Sequence, residues 1–386
     1  MSTSLVTKAT RQMICKIIGW DLQNLLDGTY PILDHNGRFH SKNSRREKMA
    51  GSRMPVAAAF AFWKGDMEAH WMAHDLSRYY KCNMCCDFCL ATTDRRSREL
   101  SWGDLTRRAL WRHTMTMEDE NDPSPWTQVP GFKKEFRLLD LLHIVHLGTA
   151  RDLCASCIVD GLEDGSILEF YGVQTFDEAL FSLSHHAHLW AKDNKMDLGM
   201  GTLTMQRLGR EKPHWPFAKL DSRLKAARCR TLIGFLAFLM CRLPDAQHLV
   251  GRAKFHAKVR GICCWALCVA LSLWSQNEDV VMPCDQVRSA CWLARLHAVA
   301  YQWLAAECYQ SRRLLYKIRP KGHYFQHMVD HHEATKLSLV HLSTFQDEDF
   351  MGKARGICRA SHGATFQLGW ARRYALKRAL QWKDMK

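Results

Sequence analysis

The sequence predicts an α+β protein in which helix predominates. Residues 175–315 carry near-continuous helical periodicity, with apolar stretches at Leu232–Leu239, Val259–Trp274 and Val287–Leu315. Residues 1–60 read instead as short extended pieces broken by the turn dipeptides Asp27-Gly28 and Asn36-Gly37. With 386 residues, 47% of them hydrophobic, the chain can build a sizeable core, as one elaborated domain or two.

In chain order, Met13–Trp20 reads as a strand, and Tyr30–Leu33 as a short extended piece. Val56–Trp63 is apolar on both faces, as a central strand is, and ends at Lys64-Gly65-Asp66. Met67–Tyr80 then reads as a helix, followed by four cysteines in eight residues, Cys82, Cys85, Cys86 and Cys89. Residues 118–130 form an acidic, proline-containing linker and the best internal boundary. Arg137–Leu153 reads as one long apolar-periodic helix carrying Asp140, His143 and His146. Pro244 and Pro283 punctuate the helical block, and Pro320 ends it. The last 34 residues hold nine Lys/Arg, among them Arg372, Arg373, Lys377 and Arg378, against one acid, Asp384.

The net charge is +15 and the pI about 9.2. That balance favours a polyanionic partner, DNA above all, and the basic tail is the natural phosphate-contacting segment. The sixteen cysteines are scattered through apolar helical runs, the usage of a reduced intracellular protein. The N-terminus has no secretion signal, and the longest apolar run, Gly261–Trp274, falls short of a transmembrane segment, so a nuclear or otherwise intracellular location with no membrane partner is expected. Self-association as a homo-oligomer stays open.

Cys86-x2-Cys89 has zinc-ligand spacing, and Cys82-x2-Cys85 offers an overlapping pair. His143 and His146, three apart on an expected helix, could complete a structural Cys2His2 zinc site, with Cys154-x2-Cys157 as a rival pair. The alternative is that these are reduced packing cysteines and core histidines. His185-His186-Ala187-His188 and His331-His332 lack a ligand pattern and read as surface or core residues. Asp66, just past an apolar strand, could reach a metal at a sheet end, and Glu348 in Asp347-Glu348-Asp349 could project toward it; a two-metal Mg²⁺ site uses such carboxylates. The alternative is that Asp66 is a turn residue and the acidic triplet a helix cap.

Taken together, three segments resemble eukaryotic cut-and-paste DNA transposases of the CACTA type. Lys64-Gly65-Asp66, a helix, then Cys86-x2-Cys89-x-Ala91 is similar to that family's second-aspartate segment. Asp140-Leu141-Leu142-His143-x2-His146-Leu147-Gly148 resembles its Asp-x-Met-His segment, with leucine for methionine. Lys321-x-His323, Phe345-x2-Glu348-x3-Gly352 and His362-Gly363 resemble its closing segment, with Met351 in place of an asparagine. The order of these motifs across residues 55–365 carries more than any one of them.

The resemblance implies a partial RNase H-like core interrupted by a long α-helical insertion. Residues 1–117 would be the N-terminal part of that core with the cysteine cluster, 131–319 the helical insertion, and 320–386 the C-terminal core helix and basic tail. It implies Asp66 and Glu348 as second and third catalytic carboxylates, and zinc on Cys86 and Cys89 with His143. The family's first aspartate has no clear counterpart; Asp21, 45 residues before Asp66, is the nearest substitute. The expectation is a truncated or decayed transposase-derived DNA-binding protein whose ancestral Mg²⁺-dependent strand cleavage is lost. A non-enzymatic zinc-stabilised nucleic-acid binder or helical scaffold is the alternative.

Overall fold

In a computed structural model of the chain, Lys8–Asp27 forms a helix, α1, where a strand was expected over Met13–Trp20. Thr7 caps its start by accepting from Thr10 N, and Gly28, at φ 66°, ends it in the left-handed region. Cys15, Ile18 and Leu22 recur at helical spacing and pack with Trp126 and Val129. Tertiary burial of that face outweighs the strand preference of the β-branched run. Asp21 is therefore an exposed residue on a helix, and the strand end that was to present it as a catalytic carboxylate does not exist.

The structure describes residues 7–94, 98–115, 125–210, 217–221 and 224–345. Residues 1–342 form one compact unit and 343–386 a second, of which 343–345 are described. Glu348 and the tail residues Arg372, Arg373, Lys377 and Arg378 lie outside the described residues, as does most of the acidic linker.

A short helix, α2 (Arg45–Met49), follows the Asn36-Gly37 turn, which forms as expected: Gly37 takes φ 75°, and Asp34 Oδ1 accepts from Asn36 N and Arg38 N. The expected central strand over Val56–Trp63 is not one. Val56 is exposed, and regular pairing covers only β1, Trp63–Gly65. β1 pairs in parallel with β2, Arg137–Leu139, in the register Trp63↔Arg137 and Gly65↔Leu139. These two strands form the one named sheet among the described residues.

Asp66 caps helix α3, Met67–His74, which stops early because Asp75 turns left-handed at φ 50°. Arg137–Leu153, expected as a single helix, divides into three parts. β2 comes first, then a π-helical segment, Leu142–Thr149, then α4, Ala150–Glu163. Asp140 makes the break. Its side chain accepts from Leu142 N (3.0 Å) and His143 N (3.1 Å) and starts the helical run one residue past the strand.

The remaining described helices are α5 (Ser166–Tyr171), α6 (Phe176–Asp193), α7 (Ala226–Met240), α8 (Gly251–Gln276), α9 (Cys284–Gln310) and α10 (Pro320–Thr335). Among the described residues the protein is mostly helical, as the sequence predicted, and its sheet has only the two parallel strands. Pro244 sits in a 3₁₀ turn and Pro283 caps α9, where their missing N–H groups cost nothing. α8 alone among the described helices is long and apolar enough to cross a membrane. Here it packs between α7 and α9, and Gly261 lets it approach α7 so closely that a Cβ would stand 2.9 Å from the Met240 carbonyl oxygen.

The core of this bundle contains an ion network centred on Asp160. Arg313 Nη2 (2.6 Å), Tyr316 OH (2.6 Å) and His256 Nε2 (2.7 Å) meet its carboxylate, and the fully buried Arg260 bridges it to Asp164 (2.8 Å). Burial alone would raise the Asp160 carboxyl, but Arg260, His256 and Arg313 together hold it well below the usual range. Asp160, His256 and Cys308 also lie close enough to share a metal ion. Two guanidiniums already supply the compensating positive charge, so the cluster reads as a buried ion network. Asp160→Ala strands Arg260 without a full partner and is expected to lower unfolding free energy by about 3–5 kcal/mol in denaturant titration.

Several histidines are buried uncharged. Burial drives His70, His146 and His297 down to about 4, against 6.5 in the unfolded chain. Between those values the unfolded chain binds more protons, so their contribution is complete above pH 6.5 and drains as pH falls toward 4. Thermal melts across pH 7 to 4 are expected to show a steep loss of Tm, and a flat profile would contradict this burial.

Candidate metal centre and cleft

Cys86 and Cys89 come together with two histidines that the sequence reading did not choose. His323 and His327 stand one turn apart on α10, on the same face. His327 Nε2 lies 3.3 Å from Cys86 Sγ, His323 Nε2 lies 3.3 Å from Cys89 Sγ, and the two Nε2 atoms are 3.0 Å apart. All four ligand atoms fall within 4.8 Å of one another, and all four residues are buried. Two sulfurs and two imidazole nitrogens converging in this way can hold a metal ion.

The cysteine loop is shaped for this. Cys85 N bonds to Ala91 O (3.2 Å) and Thr93 N to Asn83 O (2.8 Å), closing a tight turn with Cys86–Cys89 at its tip. Phe88 N donates to Cys86 Sγ (3.3 Å) and Ala91 N to Cys89 Sγ (3.4 Å), backbone bonds that fix where the two sulfurs sit. Burial otherwise pushes the Cys86 thiol far up and the His327 ring far below its ordinary value. A bound cation would replace the thiol protons, and binding would weaken as pH falls.

Outer contacts fix the geometry. Tyr324 OH bonds to Cys85 O (3.2 Å) and Asp87 Oδ1 (2.9 Å), and Arg137 holds Asp87 Oδ2 (2.9 Å), so β2, the loop and α10 are tied together. The Trp111 ring covers His323 and His327 at centroid distances of 4.2 and 4.9 Å, steadied by its bond to Asp104 O. Arg112 beside it pairs with Asp330 on α10.

The other expected ligands are elsewhere. Cys85 is buried, but its thiol points to Ala91 O (3.6 Å); Cys82 is only half-buried and outside the cluster. Cys154 and Cys157 lie in the helical core, where Cys157 Sγ meets Cys264 Sγ at 3.4 Å. His146 turns into the core beside Arg230, and His143 faces a cleft. The wider π-helical turn separates these two, which an α-helix would have placed on one face. His185 and His188 lie outside any ligand cluster among the described residues, and His186 stacks among Phe170, Tyr171 and Phe235. The missed pair was visible as His323-x3-His327 in a helix opened by Pro320, the i,i+4 spacing of two ligands on one face.

The cleft lies at the carboxyl ends of the two strands, with a volume of about 470 Å³. Asp66 and Asp140 each follow their strand by one residue, so the parallel register sets them side by side. Asp66 Oδ1 accepts from Ala69 N (2.6 Å), and its Oδ2 lies 4.0 Å from His143 Nε2. His143 Nδ1 bonds to Asp140, whose carboxylate is fully buried. Arg151, Lys219, Arg319 and Lys321 line the same cleft, with Glu68 and Asp152. Arg319 Nε pairs with Asp152 (2.8 Å), and Lys321 Nζ donates to His143 O (2.8 Å). Gly148 makes room for Lys321, whose Cδ would be 2.6 Å from an added Cβ. Burial, then the neighbouring Arg319 and Arg151, lowers the Lys219 ammonium, a mark of crowded positive charge.

Compared with models of protein families, with curated proteins and with solved structures, the chain gives no match in any of the three.

Metal analysis and thermal melts distinguish the two ligand sets. Cys86→Ser and His323→Ala are expected to lose the bound metal and destabilise the protein, while His143→Ala and Cys82→Ser retain one equivalent. Tyr324→Phe, which removes an outer contact, is expected to weaken metal affinity about tenfold.

Proposed function

We propose that this chain is a transposase-derived DNA-binding protein, with zinc at Cys86, Cys89, His323 and His327 stabilising a partial RNase H-like core. The cleft carries this reading. Asp66, just past the end of β1, shares an opening with Arg151, Lys219, Arg319 and Lys321, and the buried Asp140, just past the end of β2, holds His143 at the same opening. The carboxyl end of a parallel sheet is where ligands bind in open α/β arrangements. Tethered, crowded cations there suit a phosphodiester backbone, whose binding relieves their mutual repulsion. The order of motifs noted in the sequence and the net charge of +15 support the same assignment.

Zinc is the metal of choice for two thiolates and two imidazoles in a closed, buried site, and it would work as a staple between the cysteine loop and α10. The ancestral chemistry would be Mg²⁺-dependent strand cleavage, with Asp66 as one of its carboxylates. Asp21 has no part in it, and we assign the chain binding rather than cleavage.

The test is fluorescence anisotropy of the zinc-loaded chain with duplex DNA, without added Mg²⁺, over a range of salt. Affinity is expected to fall steeply with salt, and Lys219→Ala with Arg319→Ala to reduce the log–log slope by about two. Absence of binding at low salt would overturn the reading. Cleavage of the duplex in Mg²⁺, lost in Asp66→Asn, would overturn the assignment of binding alone.

A further inference from the structure

Between Gly28 and Val56 the chain builds a knuckle that is closely tied by its backbone yet serves no core. Tyr30 N donates to Ser52 O (2.9 Å), Gly51 N to Tyr30 O (2.9 Å), Met54 N to Gly28 O (2.8 Å) and Asp34 N to Arg38 O (2.7 Å). His40 Nε2 donates to Pro31 O (2.9 Å), and Ser44 Oγ caps α2 by accepting from Glu47 N (3.1 Å). No residue of the segment is buried. With no apolar side chain taken out of water, what this scaffold fixes is the placement of its exposed side chains. None of them lines the cleft.

Those side chains are cations around one aromatic ring. Phe39 is 81% exposed, the most exposed large hydrophobic residue described, and stands just past the Asn36-Gly37 turn. It lies opposite Leu33 in an antiparallel bridge, so the two share a face. Arg38, Lys42, Arg45, Arg46, Lys48 and Arg53 are all exposed, and none forms an ion pair among the described residues. Glu47, the one acid from 38 to 53, turns its carboxylate to Asn43 N. Six cations against one acid suit a polyanion. Phosphates alone have no use for the ring, whereas an unpaired base stacks on it. In a duplex the bases are already stacked on one another. A lipid surface is met by a broad apolar face, and here that face is Phe39 and Leu33, while Ile32 lies against Gly51.

We propose that this knuckle is a second nucleic-acid surface, separate from the cleft, that takes an unpaired strand. One base stacks on Phe39, and the flanking phosphates lie on the surrounding arginines and lysines. Every base has a π-face, so the site is tolerant of sequence, and its dependence on salt comes from the cations alone.

Anisotropy of labelled oligothymidylate and oligouridylate with the zinc-loaded full chain, over a range of salt and beside a duplex, tests this. Phe39→Ala is expected to weaken the unpaired oligomer about tenfold with its salt slope and the duplex affinity unchanged, and Phe39→Tyr to retain binding. Arg45→Ala with Arg46→Ala is expected to reduce the single-strand slope by about 1.4. Phe39 is exposed, so its variants are expected to keep the wild-type melt. Tight binding of either oligomer in this pattern supports the proposal, and the tighter one tells DNA from RNA. Wild-type oligomer affinity in Phe39→Ala overturns it, as does equal loss on oligomer and duplex. Binding to phosphatidylserine vesicles that Phe39→Ala abolishes, with oligomer binding intact, overturns it in favour of a membrane. Duplex binding without a Phe39-dependent oligomer sinks this inference alone. Phe39-dependent oligomer binding without any duplex binding sinks the reading of the cleft and leaves the knuckle standing.

Discussion

The junction of Cys86 and Cys89 with His323 and His327 joins parts of the chain more than 230 residues apart. Loop-closure entropy grows only slowly with length, so one strong junction can offset it. The cysteine loop alone has little to bury, and α10 alone is a short helix with four histidines, glutamine, lysine and acids among its residues. Together they form a dry site under Trp111, clamped by Tyr324, Asp87 and Arg137. A metal ion there would convert four costly buried groups into mutual ligands, which is how small metal sites contribute folding free energy.

That junction also determines the cleft. α10 begins at Pro320, and the turn of helix bearing His323 and His327 is preceded by Arg319 and Lys321. Locking α10 against the cysteine loop therefore fixes where those two cations emerge. The π-helical segment meets them from the other side. Gly148 admits the Lys321 stem, and the His143 carbonyl receives its ammonium. π-Helical turns are costly and recur at functional sites. Here the turn separates His143 from His146, sending one to the cleft and the other to the core.

Some of this was legible residue by residue. The Cys86-x2-Cys89 spacing identifies a ligand pair because two thiols two residues apart can share one ion from a tight turn. Asp66 was legible as a residue just beyond a strand, and it stands there as the cap of α3. The helical block was legible because apolar periodicity over long stretches has few alternative solutions. The N-terminal strand was misread because Ile14, Ile17 and Ile18 suit a strand locally, while Cys15, Ile18 and Leu22 suit a helix once Trp126 and Val129 are there to cover them.

What the sequence determined by itself is a basic, mostly helical chain with one thiol pair able to bind a metal and a carboxylate beyond a short strand. These follow from local spacing and composition. Only the tertiary structure decided which histidines face the thiols. His143-x2-His146 and His323-x3-His327 both offer helical spacing, and spacing alone cannot choose between pairs whose partners lie far away in the chain. Burial beside Cys86 and Cys89 chose α10, and the bond to Asp140 committed His143 to Asp66 and the cleft.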